Sequence, residues 1–187
     1  IRSVGMPFFD NDVKIIDQNG GSVPAGIEGE VAIRPGRYSM GGYYRNPKLT
    51  ADAWSGDYYR LGDLAVMDED GYITLVGRAK ELIIRGGQNI VPSEVEELIT
   101  AHEAVVDVVV IGLSDDEMGE RACACIIVAE GAALSLDDLR AHFNQLGVAR
   151  FKCPERIALF DEFPMTMSGI KVDRRELTEL VLADRKI

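Results

Sequence analysis

The chain is 187 residues long, 47% hydrophobic and 27% charged, an ordinary globular balance with enough apolar material for one large domain or two small ones. Its 20 Lys and Arg stand against 31 Asp and Glu, a formal charge of −11 that argues against a protein built to grip nucleic acid or an anionic membrane. No apolar run approaches the roughly 20 residues of a membrane helix, and the opening "IRSVGMPFFD" lacks the apolar core of a signal peptide.

Three cysteines, Cys123, Cys125 and Cys153, are too few for a disulfide framework, and the odd count fits a reducing, cytoplasmic compartment. The start on Ile1 rather than Met reads as the interior of a longer polypeptide.

The first third predicts short strands separated by turns. "DVKIID" runs into Asn19-Gly20-Gly21, then comes "GEVAI", then a Gly/Pro/Tyr-rich stretch from Pro35 to Pro47. "LAVM" and "YITLV" flank Asp68-Glu69-Asp70-Gly71, a second hairpin signal. After Gly77 the pattern changes to alternating helices and strands. Ser93 and Glu96 predict a capping box opening a helix with Val95, Leu98 and Ile99 on one face. "VVDVVVIGL" and "ACACIIV" are β-branched runs that read as strands. Ser135 and Asp138 open a second helix whose Leu136, Leu139, Phe143 and Leu146 share a face. "RIALFDE" reads as a strand, and Asp173 with Glu176 opens a last helix carrying Leu177, Leu180 and Val181 inward. The fold class is α+β, with residues 1–79 β-rich and residues 80–187 mixed.

Four constellations carry potential chemistry. In "YYRLGDLA" the Gly62-Asp63 pair precedes an apolar strand; a carboxylate on such a turn can accept both hydroxyls of a ribose, or be a plain turn aspartate. In "GRAKELIIRGGQNIVPSEVEE", Arg78 and Lys80 precede Gly86-Gly87, which either let a backbone approach a narrow ligand or form a simple hairpin turn. "SDDEMGE", residues 114–120, reads as a polar loop. In "PMTMSGIK", Lys171 stands on a Gly/Ser/Thr loop, as a solvated charge or a reaching cation. Cys123 and Cys125 face one way on a strand with no further His or Cys at ligand spacing, so they read as buried small hydrophobes and no metal site is expected. His102 and His142 read as structural.

In this order the blocks resemble the C-terminal part of the acyl-activating, AMP-forming synthetase superfamily, over essentially the whole chain. "GEVAI...GGYYRNPKLTADAW" is similar to its Gly-Tyr block, "YYRLGDLA" to its Tyr-Arg-Thr-Gly-Asp block, "GRAKELI" to its hinge block and "PMTMSGIKVDRREL" to its final lysine block. The resemblance implies the β-rich end of a large adenylation domain (a distorted barrel) followed by a mobile lid with a short sheet flanked by helices. It implies Asp63 and Arg78 at the nucleotide, Lys80 as hinge, Gly86 and Gly87 beside the pantetheine of CoA, and Lys171 as the adenylation catalyst. ATP, Mg2+ and CoA follow as cofactors and a small carboxylic acid as substrate, in fatty-acid or related metabolism. The phosphate loop and acyl pocket would belong to a missing N-terminal portion of the same polypeptide, without which this chain is expected to be inactive.

Two departures stand out: Leu61 replaces the threonine of the ribose block, and Ile170 intervenes between Gly169 and the lysine. "RGGQNIVPSEVEE" is more similar to acyl- and aryl-CoA synthetases than to peptide-synthetase domains that load a carrier protein. A non-catalytic module on the same fold is the remaining alternative.

Overall fold

The computed structural model of the chain describes residues 3–8, 11–34, 36 and 42–183. Of the Gly/Pro/Tyr-rich stretch, residues 35 and 37–41 lie outside the described residues. Two compact units divide the chain, Ile1–Lys80 and Glu81–Ile187.

The first unit is an antiparallel six-stranded sheet of β1 (Ser3–Gly5), β2 (Val13–Ile16), β3 (Glu28–Ile33), β4 (Trp54–Ser55), β5 (Tyr58–Met67) and β6 (Ile73–Arg78). Its order is β1-β6-β5-β3-β2, with β4 paired to β5. Ile15, Val31, Ala65 and Ile73 form its small core. The β5–β6 turn closes as its composition predicts: the Asp68 carboxylate accepts the amides of Asp70 (3.0 Å) and Tyr72 (2.8 Å), and Gly71 takes φ +85°. A short helix, α1 (Pro47–Asp52), was not anticipated from the pattern; Asn46 caps it by accepting from the Leu49 amide, and Pro47 fills the first turn.

The second unit comprises β7 (Ile83–Arg85), β8 (Gln88–Ile90), α2 (Pro92–Thr100), β9 (Val105–Asp115), β10 (Gly119–Val128), α3 (Leu136–Gln145), β11 (Arg156–Leu159) and α4 (Arg174–Ala183). β10 is its spine: β9 pairs antiparallel along it, β11 lies parallel to it, and β7 joins at the Gly119–Arg85 register. The apolar runs of β9 and β10 do not alternate with polar residues because both sheet faces are covered. Val108, Val110, Ala122, Ala124 and Ile126 pack with Val95 and Ile99 of α2 and Leu139 and Phe143 of α3. The intervening Val109, Ile111, Leu113, Cys123 and Cys125 pack with Leu177 and Val181 of α4. Cys123 and Cys125 are fully buried there.

Helix starts follow local chemistry with one correction. The Ser135–Asp138 capping box is complete, and Asp173 accepts the amides of Arg175 and Glu176 (3.1 Å each) at the start of α4. The Ser93–Glu96 box is not the start of α2. Val91 is the N-cap and Pro92, whose φ is already helical, is the first residue. Glu96 instead accepts the Val110 amide (2.9 Å) and pairs with Arg174 (2.8 Å), which also donates to the Val110 carbonyl (2.6 Å). Two side chains thereby satisfy both peptide groups of Val110 on the edge of β9. The inward stripes are narrower than expected: Leu180 is 45% and Leu146 46% exposed, because Leu177 and Val181 fill the inner face of α4 and Leu146 is already the C-cap of α3. The His102 and His142 rings pack edge to face with centroids 5.1 Å apart, and His142 Nε2 donates to the Leu98 carbonyl at 2.9 Å, a structural clasp between α2 and α3. No helix among the described residues is long and apolar enough to cross a membrane.

Candidate active site

Asp63 and Arg78 face each other across β5 and β6, in direct register, with Arg78 Nε 2.9 Å from Asp63 Oδ1. The second carboxylate oxygen has no partner among the described residues, and the side chain is 25% exposed. Gly62-Asp63 is not a turn before a strand, as its composition suggests, but a bulge inside one. Residues Arg60 and Leu64 of β5 oppose Ala32 and Glu30 of β3, so three residues of one strand face one of the other. Gly62 supplies φ +76° at this point. The bulge is pinned by Glu30, buried to 8% exposure, which accepts the Gly62 amide (3.1 Å) and Arg60 Nε (2.8 Å). Glu30 thus fixes the backbone that carries Asp63. A carboxylate between apolar neighbours in "GEVAI" was the available signal.

Lys80 lies exposed in a 3-10 turn, Ala79–Glu81, as the last residue of the first unit. Gly86 and Gly87 form the two-residue loop of the β7–β8 hairpin, both at positive φ (+55° and +81°), a turn open to glycine and little else. Their surroundings differ. A Cβ on Gly86 would sit 2.7 Å from the Met118 Cε, whereas one on Gly87 would meet nothing within 4 Å.

The stretch "SDDEMGE", read as a polar loop, is the end of β9, a three-residue turn over 116–118 and the start of β10, because Ser114 and Asp115 pair with Glu120 and Gly119, and it does more than connect the two strands. Its Met118 carbonyl accepts the Gly86 amide at 2.7 Å. Asp115 Oδ1 accepts the amides of Glu117 (3.1 Å) and Met118 (2.9 Å), and Oδ2 takes Arg121 Nε at 2.5 Å. Arg121 Nη1 reaches Glu155 at 2.9 Å, and Glu155 binds Arg85 through two hydrogen bonds of 2.7 and 2.8 Å. Beside this chain of charges a cavity of about 750 Å³ is lined by Arg85, Arg140, Phe143, Arg150, Phe151 and Glu155.

Arg121 and the loop amides hold the Asp115 carboxyl down at about 2, from an ordinary 3.8. A depressed folded-state value means that the stability it contributes is complete above the ordinary value and is lost as pH falls through about 2. The melting temperature of Asp115→Asn is therefore expected to lie below that of the wild type at neutral pH, with the gap narrowing at pH 3. A gap of constant size would contradict this pairing.

Lys171 stands at the end of a hairpin tip. Met165 bridges Val172, the Thr166 amide donates to the Lys171 carbonyl (2.8 Å), and the Asp173 amide donates to the Pro164 carbonyl (2.7 Å). Residues 167–170 make the tip, with Gly169 at φ +66° and its amide bonded to the Thr166 carbonyl. Ile170 lies in this tip and is 79% exposed, while the Lys171 backbone is paired with Thr166. The Lys171 ammonium is exposed and has no acidic partner among the described residues. Of the sequence candidates, the structure pairs Asp63 with Arg78 and puts Gly86 beside Gly87; Lys171 occupies a separate loop of the second unit.

Residues 94–169 match the family model of the AMP-binding enzyme C-terminal domain. The chain is 41% identical to pyochelin synthase PchD of Pseudomonas aeruginosa over 96% of its own length and 32% of that protein's. It is 41% identical to the medium-chain fatty-acid–CoA ligase of Escherichia coli over 84% of its own length and 28% of that protein's. Among solved structures, ATP-bound MatB from Rhodopseudomonas palustris superposes with a TM-score of 0.85 at 30% identity, over 96% of this chain and 35% of that one. The chain belongs to the acyl-activating, AMP-forming synthetase superfamily.

It spans about a third of the length of the curated synthetases it matches. The family-model match ends at Gly169, so Ile170 and Lys171 lie just beyond its edge. Leu61, next to Gly62-Asp63 on β5, offers no hydroxyl.

Proposed function

We propose that this chain works as the C-terminal third of an AMP-forming acyl-CoA synthetase, residues 1–79 closing the large adenylation domain and residues 80–187 forming a mobile lid. The observation that carries the reading is the Lys171 hairpin: an unpaired ammonium held at a fixed backbone position on an exposed tip. Its likeness to ATP-bound MatB and to a fatty-acid–CoA ligase supports ATP as the activating nucleotide and CoA as the acceptor.

In the first half-reaction a carboxylate oxygen attacks the α-phosphorus of ATP, the bond to the bridging oxygen breaks, and pyrophosphate leaves with the electron pair. Two anions must meet, so a preorganised cation in a water-poor site lowers the barrier most. Lys171 supplies that cation between carboxylate and α-phosphate. Asp63 fits a ribose diol: its free oxygen and partial exposure leave room to accept hydroxyls, while Arg78 fixes the other oxygen. In the second half-reaction the CoA sulfur attacks the acyl carbon, the thiol proton passes to solvent, and AMP departs. Lys171 must then withdraw and the Gly86-Gly87 turn must arrive, a rotation absorbed at Lys80. The described residues hold no group of three or more His, Cys, Asp or Glu suited to a metal; in this reading Mg2+ would accompany the triphosphate and be held by the rest of the polypeptide.

Equal identity to a pyochelin synthase favours testing a second acceptor, a phosphopantetheinyl carrier protein. The complete polypeptide is screened for acid-dependent exchange of pyrophosphate into ATP with acetate, octanoate, palmitate, malonate and benzoate, and the best acid is then offered with CoA or with a loaded carrier protein. Acyl-CoA as product supports the reading. Transfer only to the carrier would replace it with the second one, and no exchange with any acid would remove the adenylation reading itself.

A further inference from the structure

The Gly86-Gly87 turn closes a circuit. Starting at Arg85, contacts run to Glu155, to Arg121, to Asp115, to the Met118 amide, and from the Met118 carbonyl back to the Gly86 amide, next to Arg85 in the chain. The members come from β7, the end of β9, the β9–β10 loop, β10 and the residue before β11, so no local interaction alone produces it. Two adjacent glycines have more backbone freedom than any other dipeptide, and a ligand path built on them needs its geometry fixed from outside. The circuit does this on one side only. Met118 covers Gly86, while Gly87 borders open space.

We propose that Asp115, Arg121 and Glu155 are positioning residues for the thiol-transfer half-reaction, acting through Met118 and Arg85 to fix the Gly86-Gly87 turn. Gly86 is then the packed glycine, and Gly87 presents its open face to the pantetheine arm of CoA. The inference rests on the reading of this turn as part of the thiol path. It assigns to the "SDDEMGE" loop a role that its polar composition hides.

A purely structural network would weaken both half-reactions together. Positioning separates them. In the complete polypeptide, with the best acid of the exchange screen, Glu155→Gln and Asp115→Asn are each expected to raise the KM for CoA about tenfold or more, since small misplacements at a reacting geometry cost factors of this size or larger. Acid-dependent pyrophosphate exchange should change less than about twofold in the same proteins. Arg121→Lys, which keeps a cation, should recover part of what Arg121→Met loses. Equal loss in both half-reactions, or an unchanged KM for CoA in both carboxylate variants, would overturn the proposal. If the wild-type polypeptide adenylates its acid but never uses CoA, the CoA reading has failed and the circuit is retested with the carrier protein as acceptor, by the same split.

Discussion

Replacing Lys171 by alanine in the complete polypeptide is expected to slow acyl-adenylate formation by about 100- to 1,000-fold, the range found when one preorganised donor is removed from a developing charge. Conversion of supplied acyl-adenylate to thioester should continue at close to the wild-type rate. The asymmetry follows from the hairpin. The ammonium has no acidic partner among the described residues, and the tip that carries it is exposed, so its removal leaves no buried group unsatisfied and the fold intact. Pyrophosphate exchange and single-turnover thioester formation measure the two halves separately. Equal losses in both, or none in either, would remove Lys171 from its role. Thr166 and Lys171 are paired across the stem, and Ile170 lies in the tip beyond that pair.

Lys80→Pro should give the opposite pattern. The residue lies in a short 3-10 turn where the two units meet in sequence, and proline fixes its φ near −65° while restricting Ala79 as well. A rotation that needs these dihedrals would be blocked, so thioester formation is expected to fall by roughly 100-fold while adenylation stays near normal. Lys80→Ala keeps the backbone free and should retain at least about ten times the thioester rate of Lys80→Pro. A normal thioester rate in the proline variant would place the hinge elsewhere.

What the sequence made legible was local. The Ser135–Asp138 box, the Asp173 cap and the Asp68–Gly71 turn are each closed by groups within a few residues, so composition specifies them. The strands β9 and β10 were evident from β-branched runs, whereas the cover on both their faces came into view only with the helices packed against them. The readings that changed depend on partners far away in the chain. Glu96 looked like a capping residue and is held by Val110 and Arg174. Gly62-Asp63 looked like a turn and is a bulge whose shape comes from Glu30, 32 residues earlier. The circuit around Gly86 joins residues 85, 115, 121 and 155, a set that no single window of sequence contains. The proposed site shows the same division. Asp63, Arg78 and Lys171 enter it from ordered sequence blocks, whereas Glu30 and the charges behind the glycine turn became visible only once the strands were paired.

The most direct test of the two-stage account is acid-dependent exchange of radiolabelled pyrophosphate into ATP by the complete polypeptide, compared between wild type and Lys171→Ala. The account predicts exchange that requires the carboxylic acid and falls by about two orders of magnitude or more without the lysine. Undiminished exchange in Lys171→Ala would contradict it.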